Sequence, residues 1–142
     1  MKIKRGVSYR EILAKPQKKE RKPNKPSFFF RTLIRTVSIP DLLATDFTYK
    51  SIDMEKLSKR EPCLILMNHS SFIDLEIVSR IFYPRKYNIV CTSDGFIGKD
   101  WLMRQIGCIP TKKFVSEISL VHDMMYAVKR YNSSILMYPE AR

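Results

Sequence analysis

Glycine is scarce in this chain, with four in 142 residues, at positions 6, 95, 98 and 107. No phosphate-cradling loop of the G-x-G-x-x-G or G-x-x-x-x-G-K-[ST] type can be written from them, and the G-x-S-x-G nucleophile turn is absent as well. Cysteine is equally sparse: Cys63, Cys91 and Cys108 are odd in number, widely spaced and form no C-x-x-C. That excludes a disulfide framework and a zinc finger, and points to a reducing compartment. Only two histidines occur, so histidine and cysteine together supply no metal-ligand set. No run of 18 apolar residues exists to span a bilayer. A charged N-terminus with no apolar stretch behind it argues against secretion.

Acidic residues are the remaining shortage, 14 against 26 Lys and Arg, for a formal net charge of +12. The imbalance is local. Residues 1–35 hold twelve of the basic residues and only Glu11 and Glu20, so the remainder is nearly neutral, the pattern of a folded domain with a basic arm. Apolar residues at 44% and aromatics at 11% belong to a globular chain, and the length suits one domain.

Three regions follow. Residues 1–27 read as a basic, Pro-rich flexible tail, because Lys15 to Pro26 contains no apolar residue and three prolines. It is either a solvated linker or an electrostatic arm for an anionic surface. Residues 28–44 read as an amphipathic helix capped by Ser27, with Phe29, Phe30, Leu33, Ile34 and Val37 forming its apolar stripe. Arg31 and Arg35 fall off that stripe, and Pro40 is expected to stop it. Such a helix lies at a membrane interface or packs as a core helix on the domain.

Residues 45–142 alternate strand and helix signals. Phe47-Thr-Tyr49 is a weak strand. Cys63-Leu-Ile-Leu-Met67 reads as a strand buried on both faces, residues 72–83 as a mostly buried helix, and Asn88-Ile-Val-Cys-Thr92 as a strand. A short helix near 99–106, a short strand at 107–110, a helix over 117–131 and a third apolar strand at 134–138 complete the pattern. The expectation is a layered α/β domain with a largely parallel or mixed sheet and flanking helices. The last strand is expected to leave an open edge.

The chemistry gathers at Asn68-His-Ser-Ser-Phe-Ile-Asp74. His69 follows a buried strand and Asp74 lies in the first turn of the next helix, where ligands collect in open α/β sheets. The spacing lets Asp74 fold back to one imidazole nitrogen, fixing the tautomer and leaving the other nitrogen as a base. His122-Asp123, adjacent on a helix, is expected to face solvent.

This segment resembles the first motif of the glycerolipid acyltransferases, the 1-acylglycerol-3-phosphate acyltransferase group. Gly107-Cys-Ile-Pro-Thr-Lys-Lys113 resembles their second motif, and Tyr138-Pro-Glu-Ala-Arg142 their third, with Ala141 in place of a glycine and Arg142 one position early. The resemblance runs over about residues 45–142. It implies His69 as general base, oriented by Asp74, for an acceptor hydroxyl attacking an acyl thioester. It also implies Lys112 or Lys113, Glu140 and Arg142 as groups around the acceptor phosphate. A lysine there would act as a point charge, not a bidentate fork. The donor would be acyl-coenzyme A or acyl carrier protein, the acceptor a lysophospholipid, and no further cofactor is needed because a thioester is already activated. Location would be peripheral, on the cytoplasmic face of an anionic membrane. The family's domain extends past the third motif, so this chain is expected to be the N-terminal part of that domain. Two other readings are a basic nucleic-acid-binding module and an inactive acyltransferase fragment. The tail's single aromatic, Tyr9, argues against the first, since single-strand binders need stacking groups.

Overall fold

The structure, a computed structural model, describes residues 21–58, 60–69, 71, 73–112 and 118–139. Its centre is a four-stranded sheet of β1 (Leu64–Leu66), β2 (Tyr87–Thr92), β3 (Cys108–Thr111) and β4 (Ser134–Met137), in the order β1-β4-β2-β3. Every pairing is parallel, with Leu64 opposite Ile135, Ile89 opposite Leu136 and Ile89 opposite Cys108. All four strands therefore end at the same edge. The helices are α1 (Phe28–Ala44), α2 (Ile73–Phe82), α3 (Asp100–Ile106) and α4 (Ile118–Tyr131).

The layers follow from alternation along the strands. Ile65, Tyr87, Ile89, Cys108 and Leu136 point to one face and pack with Val78 and Phe82 of α2, Met103 and Ile106 of α3, and Phe96. Ile109 and Ile135 point to the other face, against Ala127, Met124 and Val128 of α4. Helix α1 forms an outer layer over α2 and also touches α3. This is the layered α/β fold that the strand and helix signals imply.

Several local expectations fail, each for a physical reason. Phe47–Tyr49 forms no strand; its two rings stack on each other at 6.0 Å. Pro40 lies inside α1 instead of ending it. The helix continues because Leu42, beyond the proline, is buried and anchors the last turn, outweighing a lost backbone bond. Of the two packings open to α1, the stripe is not the face packed on the domain: Arg31, Ser38 and Leu42 are buried, while Phe28, Phe29, Leu33 and Val37 face outward.

β1 is not covered on both faces. α4 packs over β3 and β4 and leaves Leu64 and Leu66 about 60% exposed. β4, conversely, is no edge, since β1 and β2 pair with it on either side. Finally, the stretch read as loose tail is packed over residues 21–27. Pro23 and Pro26 are buried, Asn24 O accepts a 3.0 Å bond from Asn88 Nδ2, and Pro23 O accepts one from the Tyr131 hydroxyl.

Gly107 explains how that strap is seated. It closes α3 with φ of 98°, a left-handed conformation that costs a side-chain-bearing residue about 1–2 kcal/mol. A Cβ there would stand 2.7 Å from the Pro26 ring. Its carbonyl accepts bonds from the Ile89 amide and from Asn88 Nδ2.

Candidate active site

β1 releases its last paired amide at Met67, which donates to Met137 O at 3.2 Å, and the chain then leaves the sheet edge through Asn68 and His69. Two residues after Ser71 it turns into α2, with Asp74 in the first turn. The Asp74 amide donates to Ser71 O at 3.2 Å, and Asp74 Oδ2 accepts the Ser71 amide at 3.0 Å. That reciprocal pair satisfies one of the unpaired amides at the helix start and aims the carboxylate backwards along the chain.

The aim brings it to His69. Asp74 Oδ2 lies 2.9 Å from His69 Nδ1. The carboxylate side chain is 6% exposed and the imidazole 49%. In neutral imidazole the proton then resides on Nδ1, donated to the carboxylate, and the lone pair sits on Nε2. The carboxylate is buried and the imidazole is open to solvent.

Tyr138 is the residue the sequence did not single out by itself. It follows β4, and β4 pairs with β1, so its ring reaches the imidazole: the two centroids are 4.7 Å apart, tilted by 41°. Burial, and then the nearby Asp74 charge, push its hydroxyl up to about 12, so it is a neutral group at physiological pH. Only strand pairing could have revealed this contact, because the two residues are distant in sequence.

The remaining residues tied to the motifs are placed unevenly. Lys112 is exposed and follows β3 directly, at the same edge as His69. Three strand spacings separate β1 from β3, roughly 14 Å. Lys113, Glu140 and Arg142 lie outside the described residues. His122 is exposed on α4, on the opposite face of the sheet, as its spacing predicts. The three cysteine thiols are free.

A parallel α/β sheet with a His–Asp pair where its first strand meets a helix defines the class: a layered domain with an oriented imidazole at the carboxyl edge of its sheet, the edge at which ligands gather in open α/β folds. The family model described as Acyltransferase matches residues 49–142, and the chain belongs to that acyltransferase family. No curated protein and no solved structure gives a match.

Proposed function

We propose that this domain transfers a fatty acyl group from an acyl thioester to a hydroxyl of a lysophosphatidate-like acceptor, with His69 as general base and Asp74 as its orienting partner. The single observation that carries the reading is the 2.9 Å bond between His69 Nδ1 and Asp74 Oδ2, made at the carboxyl edge of the sheet by a member of an acyltransferase family. In the proposed step Nε2 removes the acceptor's hydroxyl proton as the oxygen attacks the thioester carbonyl. The carbon–sulfur bond breaks, and the imidazolium returns the proton to the departing thiolate. Asp74 stabilises the imidazolium without itself taking the proton. A base positioned in this way contributes about a hundred- to ten-thousand-fold. Lys112 or Lys113, with Glu140 and Arg142, would surround the acceptor phosphate and hold the hydroxyl at the base.

A membrane surface is the natural source of such an acceptor. Among the described residues no helix is long and apolar enough to cross a bilayer. What supports interfacial binding is the outward face of α1, where Phe28 and Phe29 are each 66% exposed, continued by Trp101, whose ring meets Phe30 edge-on at 5.8 Å. In sequence α1 directly follows the basic N-terminal segment. Aromatic side chains beside cations fit the boundary between headgroups and acyl chains.

The test is release of free thiol from oleoyl-coenzyme A or oleoyl-acyl carrier protein, with and without 1-acylglycerol 3-phosphate. The proposal expects release that depends on the acceptor and yields the diacyl product. Equal release without acceptor would mean that water is the acceptor and would replace transfer with hydrolysis.

A further inference from the structure

We propose that a second site, at the edge of the sheet opposite His69, binds a phosphate-class anion between the opening of α1 and the start of β2. A cleft of about 510 Å³ lies there, with Lys25, Arg31 and Lys86 in its wall. These three cations come from separate pieces of chain: the packed strap, α1, and the turn leading into β2. Among the described residues no carboxylate lines the cleft, and none of the three cations is paired with an acid.

Arg31 is the unusual member. It is only 9% exposed, and its guanidinium donates through Nη2 to the Pro84 carbonyl. Removing a guanidinium from water without a counter-charge is unfavourable, and that burial lowers its pKa. Lys86 is held in place by a 2.7 Å bond from Nζ to Tyr131 O.

Helix α1 adds a third element. It is 17 residues long, no acid stands in its first turn, and the Ser27 side chain does not cap it. Its first amides, at Phe28 and beyond, have no partner within the helix, and Ser27 and Phe28 also line the cleft. Free amides, a guanidinium fork and two ammonium groups around an acid-free polar cleft match a tetrahedral oxyanion.

This site is not the acceptor subsite, and it does not depend on the acyl-transfer reading. Lys86 immediately precedes β2 and Gln105, also in the wall, lies shortly before β3, whereas His69 follows the end of β1. The six residues of β2 put roughly 20 Å between the two edges. Two sources share the required chemistry: a phospholipid headgroup, for which exposed Phe28 and Phe29 stand ready beside the cleft, and a soluble phosphate.

The experiment uses the whole chain and the variant Lys25→Gln with Lys86→Gln, which leaves buried Arg31 untouched. Lys129→Gln with Arg130→Gln removes the same charge from the exposed end of α4 and serves as control. Inorganic phosphate is titrated by calorimetry at fixed ionic strength. Binding to vesicles of phosphatidylcholine, with and without phosphatidic acid, is measured in parallel. The proposal expects the first variant to weaken phosphate binding by about tenfold or more, the effect of losing charge-assisted contacts, and the control to change it little. If vesicle binding falls with it, the source is a lipid headgroup; if vesicle binding is unchanged, the source is a soluble phosphate. No phosphate binding by the unaltered chain, or equal losses in the two variants, would overturn the site.

Discussion

Asp74 Oδ2 serves two donors at once, the Ser71 amide at 3.0 Å and His69 Nδ1 at 2.9 Å, so one buried oxygen starts a helix and sets a tautomer. That geometry was legible in the sequence. A histidine after an apolar strand and an aspartate in the next helix's first turn can meet without long-range information. The contact with Tyr138 was not, because it depends on β1 pairing with β4, and spacing along the chain says nothing about register. The ring contact gives a prediction. Tyr138→Phe retains the surface against the imidazole and should keep kcat within about threefold, since the lost hydroxyl is neutral and makes no proton transfer. Tyr138→Ala removes that surface, lets the imidazole turn, and should lower kcat by about tenfold or more through lost orientation. Steady-state kinetics on both variants decide it; a Phe variant as impaired as the Ala variant would assign the role to the hydroxyl.

At the scale of elements, long periodic segments were read correctly and their surroundings were not. α2, α3 and α4 form within a residue or two of their expected bounds, because apolar spacing, Pro84 after α2 and the glycines on either side of α3 are local signals. For α1 the pattern left open whether the stripe faces the domain or a membrane interface. Its stripe of Phe29, Leu33 and Val37 faces outward, since the α2 surface receives Arg31, Ser38 and Leu42, and periodicity does not state which face finds a partner. That outward face leads to a second prediction: Phe28→Ser with Phe29→Ser should reduce co-sedimentation with anionic vesicles without lowering thermal stability. Unchanged sedimentation would remove α1 from the membrane contact. The strap over residues 21–27 was also missed, since proline can be buried by packing on a glycine even where no apolar stripe exists. Gly107→Ala should therefore destabilise the fold by about 2 kcal/mol or more, combining left-handed strain with a forced displacement of Pro26. Urea unfolding would show it as a lower midpoint at similar slope. A midpoint equal to the unaltered chain would show that neither constraint matters.

For the molecule as a whole, the sequence points to a layered, largely parallel or mixed sheet, with one strand more than the four that form, and says nothing of strand order. The last strand, β4, inserts between β1 and β2, and this places Tyr138 beside His69. The same packed face sets a pH limit. Burial raises the hydroxyl of Tyr138 to about 12, and burial likewise raises Tyr87. Both groups keep their protons in the folded chain at a pH where the unfolded chain, titrating near the ordinary value of about 10, has released them. With more protons bound by the native state, stability falls as pH rises. It is fully present below about pH 10 and is lost progressively above it. Urea midpoints measured from pH 9 to 12 should decline, and Tyr87→Phe should flatten that decline; an identical slope in the variant would refute the assignment.

The central claim, that His69 acts as the base of an acyl transfer with Asp74 as its orienting partner, is tested most directly by one rate measurement. Diacyl product formed from oleoyl-coenzyme A and 1-acylglycerol 3-phosphate is quantified for the unaltered chain, for His69→Ala, and for His69→Ala combined with Asp74→Ala. The account predicts a loss of about a hundred- to ten-thousand-fold for the single variant. The second substitution should add little, because members of one catalytic unit are not additive. A His69→Ala chain that forms product at close to the unaltered rate would contradict it.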